Sequence, residues 1–285
     1  MRWFCGYVLQ RTLHLRGMCL PAAGSFPRNC QPVPGRYIRA SQAMGWFKHW
    51  FGTRYYALLY GHRDVADARS WTDAILARWS LPHGARLLDL ACGRGRHARF
   101  FAEAGLEVVG VDISEASIAE ARMAAPQARF VVHDMRQVLE PEAFDAACCL
   151  FTSLGYFEDF EDDRAVFRAA FAALRPGGRF VVDFMNSALV IRDLVPEERL
   201  RKEGVDFTLR RSCRDQVLVK CISVRDGDDE HHFEERVQAL APDQLEEMAR
   251  AAGFVIEDRT DGPEPLPFDP EMSQRFVLWM RKPFT

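Results

Sequence analysis

The sequence has no aspartate or glutamate before Asp64, although six arginines precede Met44 (Arg2, Arg11, Arg16, Arg28, Arg36 and Arg39). An acid-free, Arg-rich opening suits a transit peptide, but the amphipathic period of such a peptide is missing. The expectation is that residues 1–43 are an extension without structure of its own, upstream of a functional start at Met44. No apolar run approaches the roughly 20 residues of a membrane helix. A formal net charge of -3 leaves no basic footprint for nucleic acid or for an anionic membrane. The eight cysteines are badly placed for a framework. Beyond the opening stretch stand Cys92, Cys148, Cys149, Cys213 and Cys221, an odd number at spacings that suit neither disulfides nor a zinc knuckle. Cys148 and Cys149 are adjacent in an apolar run, so as strand residues they face opposite ways and cannot chelate together; the same holds for His231 and His232. A reducing, cytoplasmic compartment fits this usage.

What is present is ordinary for a globular enzyme, with 48% hydrophobic and 27% charged residues in 285. An aromatic-rich segment over 45–60 leads into a helix over 64–80, whose apolar residues Val65, Ala68, Trp71, Ile75 and Trp79 keep close to a 3.6 period. Short apolar strands then alternate with helices: strand 86–91, helix 96–104, strand 107–111, helix 114–125 with Ser114 as N-cap, strands 128–132 and 144–150, helix 162–174 and strand 179–184. Such a rhythm predicts a parallel sheet covered on both faces. After Asn186 it changes to hairpin-like spacing, with strands over 205–212, 216–224 and 230–237. A helix over 242–252 and strands over 255–259 and 275–280 restore the α/β order, so the hairpins read as an insert in one domain over 44–285.

The sharpest segment is LLDLACGRGRHA at 87–98. Glycines after a strand let the backbone turn tightly and approach a ligand, and the helix that follows offers unpaired amides to an anionic group. Gly93-x-Gly95-x-x-Ala98 also satisfies the dinucleotide fingerprint, so alone it does not distinguish a nicotinamide dehydrogenase. Asp112 stands 19 residues after Gly93, where a carboxylate takes both ribose hydroxyls. Asp89, just ahead of the glycines, would repel a phosphate and favour a cofactor with a cationic centre and an α-amino group. Asp134 closes the third strand, placed either to accept from an adenine amine or to sit solvated in a loop.

With these residues in view, the chain resembles the class I S-adenosylmethionine-dependent methyltransferases, in motifs at 87–98, 108–114, 131–135 and 174–182 within a stretch from about 45 to 282. The resemblance implies a Rossmann-like α/β fold: a seven-stranded, mostly parallel sheet with helices on both faces, one antiparallel strand near the C-terminal edge, and an antiparallel insert after strand five, a substrate lid over about 187–240. It implies S-adenosyl-L-methionine as cofactor, with Gly93 and Gly95 at its methionine part, Asp112 and Ile113 at ribose and adenine face, and Asp134 and Met135 at the adenine edge. Leu150 and Phe151 would lie beside the sulfonium. Tyr56, Tyr60 and Arg63 resemble the family's N-terminal lid, Arg63 pairing with the cofactor carboxylate; the tyrosines read equally well as packing under a terminal helix.

Methyl transfer needs an aligned nucleophile more than a side-chain catalyst, and orientation alone lowers a barrier by roughly 7–11 kcal/mol. No metal and no catalytic residue are therefore assigned. After strand four stands LFTSLGYF at 150–157, not the Asn/Asp-Pro-Pro-Tyr of amino-methylating relatives of nucleic acids and proteins, and the Pro-Cys nucleophile of cytosine-5 enzymes is missing. The expected acceptor is a small molecule, methylated at O, N or C, with Ser153, Tyr156, Asn186, Arg211 and His231 as candidate pocket residues. No nucleic-acid or membrane partner is expected. The competing readings are a methyltransferase of RNA or protein, an aminopropyl-transferring relative, an NAD-dependent oxidoreductase, and a silent cofactor-binding module.

Overall fold

The computed structural model describes residues 50–60 and 65–284; the expected extension over 1–43 and Arg63 lie outside them. Two helices, α1 (Arg54–Tyr60) and α2 (Val65–Trp79), precede β1 (Arg86–Leu90), α3 (Arg96–Glu103), β2 (Glu107–Asp112), α4 (Glu115–Ala124), β3 (Arg129–Val132) and β4 (Phe144–Cys149). Then follow α5 (Phe160–Ala173), β5 (Leu174–Met185), α6 (Ser187–Arg192), the strands β6 (Glu197–Lys202), β7 (Val205–Arg214), β8 (Val217–Asp226) and β9 (Asp229–Gln238), and finally α7 (Pro242–Ala251), β10 (Val255–Thr260) and β11 (Arg275–Arg281).

Seven strands form one sheet in the order β10-β11-β5-β4-β1-β2-β3. All pairings are parallel except those of β11, which runs antiparallel to both neighbours. Because neighbouring strand residues face opposite ways, the apolar runs feed two cores. Leu88, Leu90, Cys149 and Phe180 enter one, under α5 and α7; Leu87, Cys148 and Val181 enter the other, under α2, α3 and α4. The two adjacent cysteines thus part company across the sheet. Each such side chain removed from water contributes about 1.5–3 kcal/mol, which fixes the register that aligns the strand ends.

The insert forms its own antiparallel sheet, β6-β7-β8-β9. Its inner face carries Val205, Phe207, Leu209, Ile222 and Val224, packed with Trp50, Leu59 and Tyr60. Three departures from the sequence reading have clear causes. β6 escapes detection because EERLRK carries one apolar residue, as befits a charged sheet edge. The six-residue helix α6 is capped by Asn186 rather than announced by periodicity. Strand β5 begins at Leu174, the punctuation over 175–178 being taken up as an irregularity in its pairing with β4. Among the described residues, no helix is long and apolar enough to cross a membrane.

Candidate active site

A cavity of about 370 Å³ opens at the carboxyl ends of β1, β2, β3 and β4, where open α/β sheets bind ligands. Asp89, Asp112 and Asp134, from three successive strands, all face it. Asp89 is 2% exposed. Its Oδ1 accepts from the Cys148 thiol at 3.4 Å, while Oδ2 is buried without a close hydrogen-bond partner, the Ala98 N–H and the Arg96 charge acting on the carboxyl more weakly. Burial pushes this carboxyl up from 3.8 to about 7; Cys148 opposes the rise and the nearby charge of Asp112 adds to it. A buried acceptor without a donor is costly, and a ligand ammonium would satisfy it.

Asp112 is fixed by backbone. Gly93 N–H donates to its Oδ2 at 3.0 Å and Ser114 N–H to its Oδ1 at 2.8 Å. Burial raises its carboxyl and these hydrogen bonds hold the rise back. Ser114 meanwhile caps α4 by accepting from Ser117 N–H at 3.2 Å, so capping and ligand-facing duties fall on different residues. Asp134 is neither solvated nor bare: Arg136 grips both its oxygens, at 3.0 and 2.6 Å, and continues to Asp162 at 2.9 Å. Burial alone would raise Asp134, but Arg136 outweighs it and keeps the carboxyl below its usual range.

The two glycines do different work. Gly93 has φ 54° and open space where a Cβ would stand, and it lines the cavity. Gly95, at φ 76°, does not reach the cavity; a Cβ there would lie 2.8 Å from the Phe130 ring and 3.1 Å from Ala121. Gly95 thus gives close packing of the helix start against β3 and α4, and its N–H is spent on Cys92 O at 3.0 Å.

After β4 the chain turns through Phe151 and Thr152, both left-handed at φ 60° and 58°. Such strain costs on the order of 1–3 kcal/mol per residue and must be held by its surroundings. Asp183 holds it. Its Oδ2 accepts from Phe151 N–H at 2.8 Å, its carbonyl accepts from Thr152 N–H at 3.0 Å, and Arg275 pairs with the same carboxylate at 2.5 Å. Leu150 and Phe151 are thereby presented to the cavity, with the His97 ring packed at a tilt 5.0 Å from the Phe151 ring.

Ile113, Met135, Tyr56, Tyr60, Ser153 and Tyr156 also line the cavity. Three other candidates do not. Asn186 caps α6 and donates to Pro270 O and Ser273 O; Arg211 is buried against Glu198 at 2.7 Å; the His231 ring packs at a tilt 4.8 Å from Tyr55. Each has a packing task that its polar type did not betray. Conversely, Phe51, His97 and Glu235 face the cavity unannounced. His97 follows the glycine turn in the first turn of α3, a placement that could have singled it out. Glu235 carries no local signal, because strand pairing brings it here from far along the chain.

Residues 87–178 match a family model described as a methyltransferase domain. The chain is 30% identical over 211 residues to the dTDP-3-amino-3,6-dideoxy-alpha-D-glucopyranose N,N-dimethyltransferase of Streptomyces fradiae, covering 71% of this chain and 80% of that one. It is 30% identical over 157 residues to YqeM of Bacillus subtilis (strain 168), covering 54% of this chain and spanning 61% of the length of YqeM. Among solved structures, S-adenosylmethionine-bound CalS10, an amino pentose methyltransferase from Micromonospora echinaspora, superposes with a TM-score of 0.62 at 25% identity, over 81% of this chain and 96% of that one. The fold, the convergence of strand-end carboxylates on one cleft and these likenesses agree: the chain belongs to the class I S-adenosylmethionine-dependent methyltransferases, with S-adenosyl-L-methionine as its cofactor.

Proposed function

We propose that this methyltransferase acts on an amine nitrogen of a small-molecule acceptor. The observation that carries the reading of the site is the orphaned Oδ2 of Asp89, buried on the same cavity as Asp112 and Asp134. The cofactor, when bound, supplies a methyl group made electrophilic by its sulfonium. In the proposed arrangement Asp89 takes the α-amino group, which completes its hydrogen bonding. Asp112, held rigid by Gly93 and Ser114, keeps lone pairs for the ribose hydroxyls, with Ile113 against the adenine face. Asp134 and Met135 meet the adenine edge, Arg136 keeping the carboxylate ionised.

The acceptor side is framed by Phe51, Tyr56, Tyr60 and Tyr156, whose π faces suit a cationic or N–H-bearing group, with the Glu235 carboxylate behind them. The relatives whose names specify amino sugars support a nitrogen acceptor. A nitrogen arriving protonated must lose that proton, and His97, buried on the wall beside Phe151, is placed to receive it. Domain organisation follows the same division: the strand ends hold the cofactor, and the insert with the N-terminal aromatic segment covers the acceptor.

The test is methyl transfer from labelled cofactor to a panel of nucleotide-linked amino sugars, simple amines, phenols, tRNA and protein. Label appearing on amines supports the reading. Label confined to tRNA or protein, or to hydroxyl acceptors, sinks it.

A further inference from the structure

The roof of the cavity contains a buried ion pair that the cofactor chemistry does not require. Lys220 and Glu235 stand directly opposite each other on β8 and β9, with side chains 1% and 4% exposed and Nζ 2.8 Å from Oε2. Around the carboxylate gather donors from the N-terminal segment: Trp50 Nε1 at 2.7 Å, and the Tyr60 hydroxyl at 2.7 and 2.9 Å from the two oxygens. Lys220 also donates to the Tyr60 hydroxyl at 2.7 Å. Burial would raise the Glu235 carboxyl, but Lys220 and then Tyr60 and Trp50 keep it below its usual range.

Further polar ties of this segment run to the insert as well. Lys202 Nζ donates to Leu59 O at 2.8 Å, Tyr55 donates to Asp226 at 3.1 Å, and Arg54 pairs with the same aspartate. Between these ties the helix presents Tyr56 and Tyr60 to the cavity, and Phe51 lies 5.6 Å from Tyr156 on the loop after β4.

A buried ion pair is a poor device for stability, because desolvating two charges offsets most of their attraction; its better-attested use is to fix one arrangement among several. We propose that Lys220 and Glu235 are positioning residues: they dock the aromatic segment over 50–60 onto the insert sheet, so that Phe51, Tyr56 and Tyr60 roof the acceptor end of the cleft. The proposal rests on the reading of that end as the acceptor site. It assigns the pair to the geometry of the roof, and assigns little of the fold's stability to it. The sheet core and the strand-end carboxylates lie outside the network, so the floor of the cleft should be indifferent to its loss.

The experiment compares hydrogen exchange and S-adenosylhomocysteine release in the wild type and in the double variant Lys220→Met with Glu235→Leu. Exchange in 50–60 and release of S-adenosylhomocysteine should each speed up about tenfold or more, with exchange in β1, β2 and β4 unchanged, as expected of a local opening. A second variant, Trp50→Phe with Tyr60→Phe, removes only the donors on the helix side and should loosen 50–60 without touching β7–β9. The neutral pair Lys220→Met with Glu235→Gln keeps an acceptor for Trp50 and Tyr60 but removes both charges, and should leave 50–60 loose; slow exchange there would assign the docking to the neutral acceptor and overturn the role of the ion pair. Wild-type exchange and release in the first two variants overturns the proposal; so does exchange that accelerates uniformly with a fallen melting temperature, which would make the pair a fold stabiliser. Failure of wild-type protein to bind S-adenosylhomocysteine strikes the cofactor assignments instead, and the exchange comparison still decides the roof.

Discussion

Asp89 offers the sharpest quantitative test, because one proton on it decides whether a cation can bind. In the ligand-free protein burial holds its carboxyl at about 7, against an ordinary 3.8. A ligand ammonium needs the carboxylate, so below pH 7 binding must expel a proton, and affinity should fall tenfold for each further pH unit. Between pH 8 and pH 5 the dissociation constant of S-adenosylhomocysteine should rise about 90-fold, about 2.7 kcal/mol. Calorimetry in buffers of different ionisation enthalpy reads the released proton directly. Asp89→Asn should bind more weakly at pH 8 and lose the slope. The stability of the ligand-free protein carries the opposite sign from that of a salt-bridged carboxylate. The folded state retains a proton that the unfolded chain gives up, so stability declines as pH climbs from 3.8 through about 7, by at most about 4 kcal/mol. Asp163, also raised to about 7 by burial, adds a parallel decline, and comparison with Asp89→Asn isolates the part due to Asp89. A flat affinity from pH 5 to 8, or a slope that survives Asp89→Asn, would refute the reasoning.

Asp112→Ala removes an acceptor of two backbone hydrogen bonds as well as the proposed ribose contact; each bond to a charged group is worth about 1.5–3 kcal/mol, so calorimetric affinity for S-adenosylhomocysteine should fall by 10-fold at the least on that scale. Gly95→Ala sets a Cβ against Phe130 in a left-handed backbone and should lower stability by about 1–3 kcal/mol in denaturant titration, whereas Gly93→Ala, with open space around it, should cost about 1 kcal/mol of strain and act mainly on cofactor affinity. Arg275→Met leaves the fully buried Asp183 carboxylate unpaired, a loss of about 3–5 kcal/mol. Release of the strained loop should appear as faster exchange of the Phe151 amide, and an unchanged melting curve would contradict that account.

The parts of this architecture that were legible from sequence are those where the signal is local. Strands of the main sheet are buried on both faces and read as apolar runs; Asp112 stands out by its spacing from the glycine turn, Asp89 by its place just ahead of that turn, and Asp134 by its place after the third strand. The packing of Gly95 on Phe130 has no local sign, because a helix start packed on a ring and one open to a ligand demand the same residue. Asp134 was read as a free acceptor or a solvated acid; its partner Arg136, two residues on, was in plain view but carried no sign of its rotamer. Glu235, Trp50 and Tyr60 belong to one hydrogen-bonded group across 185 residues of chain, and no periodicity encodes such a meeting. Asn186, Arg211 and His231 mark the reverse case, polar types spent on capping, on an ion pair and on ring packing.

The cleft is assembled from two inheritances. Its floor comes from one continuous stretch, inside the 92 residues matched by the family model, whereas its ceiling is stitched from two segments far apart in the chain that meet only after folding. A graft of the β7–β9 hairpins from a relative would leave Trp50 and Tyr60 facing the wrong partners, and a graft of the opening helix alone would do the same to Lys220 and Glu235. Swapping substrate preference on this scaffold therefore calls for both pieces from a single donor, while the nucleoside-holding half can stay as it is.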